Sequence, residues 1–293
     1  MTSAQATRLG QSPGVLRRTA FIRLRSGVYV PASTELDDDA QLRTRAEALL
    51  AEYQGSWISH RTAARLSRAP LPRRLSRDSA IHLSVPAPQN RPRREGVVGH
   101  RAQVRGTDVV ALGPLLLSSP ARMWRELAHE CSVEELTVLG DWLVRHPYPK
   151  WEGRNHPYST VDSLRAQIVP GMRGASAARE ALTLIRVGSD SPTETEFRLA
   201  LLKDGLPEPQ MQVSADPSTP CSPKGDLGYL KQKIVIQYEG ATHFTPEQAQ
   251  ADQRRDNVFL AEGWVVLRLN RVDRREGFRT AVQQVRALLT HRS

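Results

Sequence analysis

Apolar residues recurring at helical spacing give the first elements of the chain. Between Asp39 and Ala51, Leu42, Ala46, Leu49 and Leu50 trace one buried helical face. Ser59 to Leu66 reads as a second, shorter helix capped by Ser59. Helical spacing returns from Pro120 to Arg145 through Met123, Leu127, Val133, Leu136, Leu139 and Leu143. Ile81-His-Leu-Ser-Val85 and Asp108-Val-Val-Ala-Leu112 have the short apolar runs of strands, joined through a Pro- and Arg-rich connection from Pro86 to Arg94. Ahead of these, Arg17-Arg18-Thr-Ala-Phe-Ile reads as a helix end, and Arg23-Leu-Arg25-Ser-Gly-Val-Tyr-Val30 as an alternating strand bent at Gly27. They predict a short winged-helix-like start with Arg23 and Arg25 on one face. His146-Pro-Tyr-Pro149 and His156-Pro-Tyr158 mark a linker or subdomain join between residues 146 and 170.

The last hundred residues are patterned more sharply. Ser191-Pro192-Thr193-Glu194 combines a capping serine, a proline at the first helical position and an acid at the third. The helix it opens carries Phe197, Leu201 and Leu202 inward and stops at Gly205, before Pro207. A strand at Gln210–Ser214 and two strand-like runs between Gly225 and Gly240 follow. Thr245-Pro246-Glu247-Gln248 repeats the helix-start signal; that helix runs to about Glu262, and Trp264–Leu269 reads as a strand after it. Phe278, Val282, Val285 and Leu289 lie on one stripe of a terminal helix. The order helix, strand, strand, strand, helix, strand, helix predicts an α/β layer with a mixed sheet, preceded by an α+β region.

With 293 residues the chain is long for a single core, and two domains are expected. No apolar run approaches the roughly 20 residues that span a bilayer, and the first residues lack the apolar core of a signal peptide. Cys131 and Cys221 belong to no Cys-x-x-Cys pair, which argues against a thiolate zinc site and fits a reducing cytoplasm. The net charge of +10 is uneven: residues 1–110 hold 18 arginines and no lysine against 9 acids, a surplus of nine. A basic first half beside a nearly neutral second half predicts a polyanion-binding module, with Arg17, Arg18, Arg23 and Arg25 as DNA contacts. His60 could serve as a ligand or a base, but it has no partner of matching spacing nearby and reads first as a structural histidine.

Candidate chemistry concentrates in Gly225-Asp-Leu-Gly-Tyr-Leu-Lys-Gln-Lys-Ile-Val-Ile-Gln-Tyr-Glu-Gly240. Ile234, Ile236 and Tyr238 share one face, so period-two geometry puts Gln237 and Glu239 together on the other. With Lys231-Gln232 as a two-residue hairpin loop, Asp226 falls opposite Gln237 on that same face. Asp226 and Glu239 would repel across the hairpin unless a cation or a basic side chain neutralised them; the first of these predicts a site for a hard divalent ion. Asp252 and Arg255, three apart on one helix, can pair with each other.

These residues resemble a known family. Ser191-Pro-Thr-Glu194, Gly205-Leu-Pro-Glu-Pro, Asp226, Gln237-x-Glu239-Gly240-x-x-His243, Asp252-x-x-Arg255 and Gly263-Trp-Val-Val-Leu-Arg268 are similar, in order and context, to the Vsr-like (very-short-patch-repair) endonuclease domains of the PD-(D/E)xK superfamily. The resemblance covers under a third of the chain. It implies a restriction-endonuclease-like mixed sheet flanked by helices and Mg²⁺- or Mn²⁺-dependent hydrolysis of double-stranded DNA, in repair or phage defence. It also implies roles: Asp226 as anchoring metal ligand, Glu239 as second ligand or base, Glu194 completing the metal site, His243 holding the attacking water or the phosphate, and Arg255 on the scissile phosphate. The family usually carries an acid where Gln237 stands, and the superfamily's lysine is absent from the position of Glu239.

Before residue 150, Arg25-Ser-Gly-Val-Tyr-Val30, Ser59-His-Arg-Thr-Ala-Ala64, Ile81-His-Leu-Ser-Val-Pro86 and Ser119-Pro-Ala-Arg-Met-Trp124 are similar to AbiEi-type antitoxins. That resemblance implies DNA binding, transcriptional autoregulation and a toxin partner. The expected organisation is a basic antitoxin-like region over 1–150, a linker and connecting helix over 151–185, and an endonuclease-like domain over 186–293. The alternative is a non-catalytic DNA-binding regulator or antitoxin that retains a degenerate nuclease fold.

Overall fold

The computed structural model describes residues 21–25, 28–31, 37–239 and 246–292, with the backbone alone over 21–31 and 246–249. The chain is mixed α/β and divides into two compact units: Met1–Leu136 with Asp162–Arg179, and Thr137–Val161 with Glu180–Ser293. No helix among the described residues is long and apolar enough to cross a membrane.

The first unit opens on two paired antiparallel strands, β1 (Phe21–Arg25) and β2 (Val28–Pro31), where a single bent strand is expected from the sequence. The register shifts between Arg23 and Arg25, an irregularity that period-two counting does not anticipate. A six-stranded mixed sheet follows, formed by β3 (Trp57–Ile58), β4 (Ile81–Pro86), β5 (Arg93–Arg94), β6 (Val97–Ala102), β7 (Val109–Leu112) and β8 (Leu115–Ser118) in the order β5-β6-β4-β3-β8-β7. Residues 81–85 of β4 are all buried, the polar His82 and Ser84 included, as the strand lies inside the sheet between β3 and β6. The helices Asp38–Glu52, His60–Leu66 and Pro120–Leu127 pack in this unit around Trp57, Ile58, Leu83, Leu117 and Trp124.

The helical stretch from Pro120 to Arg145 is two helices, Pro120–Leu127 and Val133–Val144. Ser132 accounts for the restart: its hydroxyl accepts from the Glu135 N–H at 3.2 Å while Glu135 accepts from the Ser132 N–H at 2.8 Å. Arg122 is almost wholly buried and donates to Asp108 at 2.6 Å, Glu126 at 2.8 Å and the Gln103 carbonyl at 2.9 Å. β6 contains a close approach as well: a side chain on Gly99 would lie 2.1 Å from the backbone oxygen of Pro92.

The second unit holds β9 (Gln210–Ser214), β10 (Lys224–Tyr229), β11 (Ile234–Tyr238) and β12 (Val265–Leu269) in the order β12-β11-β10-β9. The β9–β10 and β10–β11 pairs are antiparallel, and β11 pairs parallel with β12. The helix Pro246–Ala261 lies between β11 and β12 in the chain, the crossover that a parallel pair requires. β11 alternates between two cores. Ile234 and Ile236 pack with Phe197, Leu201, Phe278 and Val285 on one face; Val235 packs with Val213, Phe259 and Trp264 on the other. Arg198, fully buried, donates to Asp141 at 2.8 Å and to Glu208 at 2.9 Å.

Candidate active site

The hairpin β10–β11 takes the register that the sequence predicts. Leu227 faces Ile236, Gly228 faces Val235 and Tyr229 faces Ile234. The same register, extended by one pair, sets Asp226 across from Gln237. The connection is four residues, Leu230 to Lys233, rather than two: Lys233 takes a positive φ of 48° and its N–H donates to the Leu230 carbonyl at 3.2 Å. The extra pair opens without displacing the strands.

At Asp226 the regular alternation of the sheet breaks. Leu227 lies in the core with Phe197, whereas a side chain on Gly225 would collide with Val235 and approach Phe259 in the opposite core. Their partners behave alike, Val213 in one core and Met211 against the other, with Gln212 between them at φ 53°. Asp226 therefore sits at a crossover of faces, and its Oδ2 accepts from the Tyr238 N–H at 2.8 Å. Only a residue without Cβ fits the preceding position.

Glu194 comes to the same neighbourhood from the helix Pro192–Lys203. Ser191 caps this helix by accepting from the Glu194 N–H at 3.2 Å. The Glu194 carboxylate accepts in turn from the Asp190 N–H at 2.9 Å, one residue upstream of the expected cap partner. It is 6% exposed. Burial, then the Asp226 carboxylate, pushes its pKa up from 4.5 to about 8. Burial raises Asp226 as well, against the opposing pull of its backbone hydrogen bond and of Arg255, with Asp190 and Asp252 adding repulsion. Among the described residues neither carboxyl has an Arg, Lys or His partner within ion-pair distance. Gln237 is 3% exposed and its Nε2 has no hydrogen-bond partner.

The other residues marked by the sequence fall differently. Glu239 is ion-paired with Arg268, which also holds Asp256 at 2.6 Å. Arg268 faces Gln237 across the parallel β11–β12 pair, a cation that reading the hairpin alone does not supply. Arg255 pairs with Asp252 at 2.5 Å, as the i,i+3 spacing allows. The structure thus couples Glu194 to Asp226 and engages Glu239 elsewhere. Asp190 is the acid that sequence reasoning passes over; Gln212 Nε2 donates to its carboxylate at 2.9 Å, a contact set by the folded sheet. Arg17, Arg18 and His243 lie outside the described residues, and Arg23 and Arg25 lie on β1, where the backbone alone is described.

Among the described residues, the His, Cys, Asp and Glu side chains that gather three ligand atoms within 4.8 Å of one another are His60, His82 and His100, in the first unit. Asp226, Glu239 and Glu194 do not form such a group. Comparison of the chain with family models, with curated proteins and with solved structures finds no match.

Proposed function

We propose that the four-stranded unit is a metal-dependent DNA endonuclease of the Vsr-like, restriction-endonuclease-like kind, acting in repair or phage defence. The observation that carries this reading is the buried Glu194–Asp226 pair, both carboxyls raised and neither ion-paired with a side chain. Two acids held in this way stabilise a divalent cation in place of protons. Mg²⁺ or Mn²⁺ suits them, since Mg²⁺ is commonly held by one or two carboxylates with water and substrate phosphate filling the remaining positions. The buried Gln237 offers an amide oxygen beside them, and its unpartnered Nε2 is a donor for a phosphate oxygen.

A bound metal ion would polarise the phosphoryl oxygen and lower the pKa of an attacking water. The chain's own groups do the rest. Asp226 is oriented by the Tyr238 N–H, and Glu194 by the Asp190 N–H and the Ser191 cap. Arg255, released from Asp252 by an incoming phosphate, can donate two hydrogen bonds to it. The resemblance assigns the orienting of the attacking water to His243. The water oxygen forms the new P–O bond as the bond to the leaving sugar oxygen breaks; the water gives up a proton to solvent and the leaving oxygen takes one from solvent. The arginine-rich first unit supplies duplex affinity without base readout.

One observation favours a second reading. Gln237 lacks the charge of an acid and Glu239 is neutralised by Arg268, leaving one strand carboxylate where the family has more. A unit so altered would serve as a DNA-binding regulator, an antitoxin with a toxin partner. Supercoiled plasmid incubated with the full chain separates the two. Mg²⁺- or Mn²⁺-dependent nicking that disappears in Asp226→Asn and Glu194→Gln supports the enzyme. DNA binding unchanged by EDTA, with no nicking in either metal, supports the regulator.

A further inference from the structure

The first unit contains a constellation that the endonuclease reading does not use. β3, β4 and β6 are neighbours in the six-stranded sheet, and each brings a histidine to one place. His82 lies on β4 and His100 on β6. Their parallel register pairs His82 with Val98 and Ser84 with His100, so both imidazoles are on one face. His60 follows β3 at the start of the helix His60–Leu66 with a positive φ of 51°, its N–H held by Glu126 at 2.9 Å. The His60 and His100 rings stack with centroids 3.7 Å apart, and His82 Nδ1 lies 3.0 Å from His100 Nε2.

Carboxylates stand behind two of the rings. Asp78 Oδ2 is 3.8 Å from His82 Nε2, beyond hydrogen-bond reach, and its charge favours a proton on that buried, unpartnered nitrogen; the Nδ1 lone pair then faces His100. Glu126 Oε2 is 3.7 Å from His60 Nδ1, and the Ser59 hydroxyl is 2.9 Å from the same atom. A proton on Nδ1 leaves the His60 Nε2 lone pair. Outer carboxylates of this kind fix the tautomer of metal-bound histidines. Burial and the neighbouring imidazoles lower all three pKa values, to about 2 for His60 and about 4 for His82 and His100, so the rings are neutral at pH 7.

We propose that His60, His82 and His100 bind one divalent transition-metal ion, Zn²⁺ by its donor preference, with a fourth position open to the adjoining cavity. Three neutral nitrogens without a thiolate or a direct carboxylate select a borderline ion over Mg²⁺ or Ca²⁺. Tetrahedral bonds of about 2.0–2.1 Å need nitrogens separated by roughly 3.3 Å. The His82–His100 separation is already close to this, and His60 brings a ring nitrogen within 4.8 Å of both; its ring, stacked on His100, has to turn to aim its lone pair at the ion. The cavity, of about 580 Å³, is lined by His60 and His100 together with Arg101, Arg105, Arg125 and Arg173. Its cationic wall suits an anionic oxygen as the fourth ligand.

Zn²⁺ titration of the full chain, stripped with EDTA and exchanged into metal-free buffer, tests this. The Asp226→Asn/Glu194→Gln double variant is titrated in parallel, so that the acid site cannot be the source of binding. One Zn²⁺ per chain is expected in both proteins, lost in His100→Gln. Co²⁺ loading should give the intense visible bands of a four-coordinate nitrogen site. Asp78→Asn should weaken Zn²⁺ roughly 10- to 100-fold while keeping all three ligands, a readout that survives if His100→Gln folds poorly. Zn²⁺ binding below one per chain, or stoichiometry and affinity unchanged in both His100→Gln and Asp78→Asn, overturns the proposal.

Discussion

The two units assemble their polar centres in opposite ways. In the four-stranded unit the donors are oxygens, supplied by one hairpin and the helix that precedes β9. In the six-stranded unit they are imidazole nitrogens from three separate parts of the chain. The oxygen pair is strained toward protonation, with Glu194 raised to about 8, whereas the histidines are driven toward neutrality, His60 to about 2. Burial is the leading cause in both cases, and it acts with opposite sign because it penalises whichever form is charged. In the two proposals, the same desolvation favours a hard cation at one centre and a borderline one at the other.

The largest effect should come from breaking one centre and watching the other. Asp226→Asn is expected to lower Mg²⁺-dependent nicking by roughly 100-fold or more, since even outer-shell changes at metal sites cost about 10–100-fold. Zn²⁺ binding by the same variant should be unchanged; linked losses would mean that the two centres are not separate.

Among the described residues each unit also buries one arginine, Arg122 in the first and Arg198 in the second, and these test structure apart from chemistry. Arg198→Ala leaves Asp141 buried without its cation and should cost about 3–5 kcal/mol, whereas replacing the pair with apolar residues of similar volume should cost much less. Denaturant unfolding followed by circular dichroism measures both.

A pH series sharpens the comparison further. Because Glu194 is raised from 4.5 to about 8, the folded chain keeps a proton that the unfolded chain gives up. The contribution of Glu194 to stability should thus fall as pH rises from about 4.5 to about 8, against the rise that the lowered histidines add below about 6.5, and Glu194→Gln should gain on the wild type across that window in thermal melts. A gain of Glu194→Gln over wild type that does not grow with pH through this window would contradict the raised carboxyl. The smallest effect is expected at Asp252→Ala, which removes an i,i+3 pair of about 0.2–0.5 kcal/mol and frees Arg255. In the endonuclease reading it leaves melting almost unmoved and tightens binding of duplex DNA in a filter assay.

How far the sequence predicts each centre follows from chain distance. Asp226 and Gln237 sit on one hairpin, where period-two counting and a short turn suffice to set the register. The partners of Glu239 are less accessible: Arg268 arrives through a parallel pairing whose register is set by the crossover helix, not by any local pattern. The break of face at Asp226 depends on Gln212 in β9, which no hydrophobic alternation reveals. The histidines are harder still. β6 and β8 are not picked out from the sequence, and without β6 nothing brings His100 to His82. Val97-Val-Gly-His-Arg-Ala102 has a polar second half and Arg93–Arg94 is a two-residue strand, so their pairing comes from the sheet rather than from propensity. The capping box at Ser132 is the opposite case, a plain local signal hidden inside an apolar period that runs on through it.

Gly99 has a bearing on how this protein can vary. The Pro92 backbone passes where any other residue would project its first carbon, so even alanine there forces β5 and β6 apart. His100 is the next residue. A lineage could therefore abolish the imidazole centre while keeping every imidazole, through the addition of a single methyl group one position away.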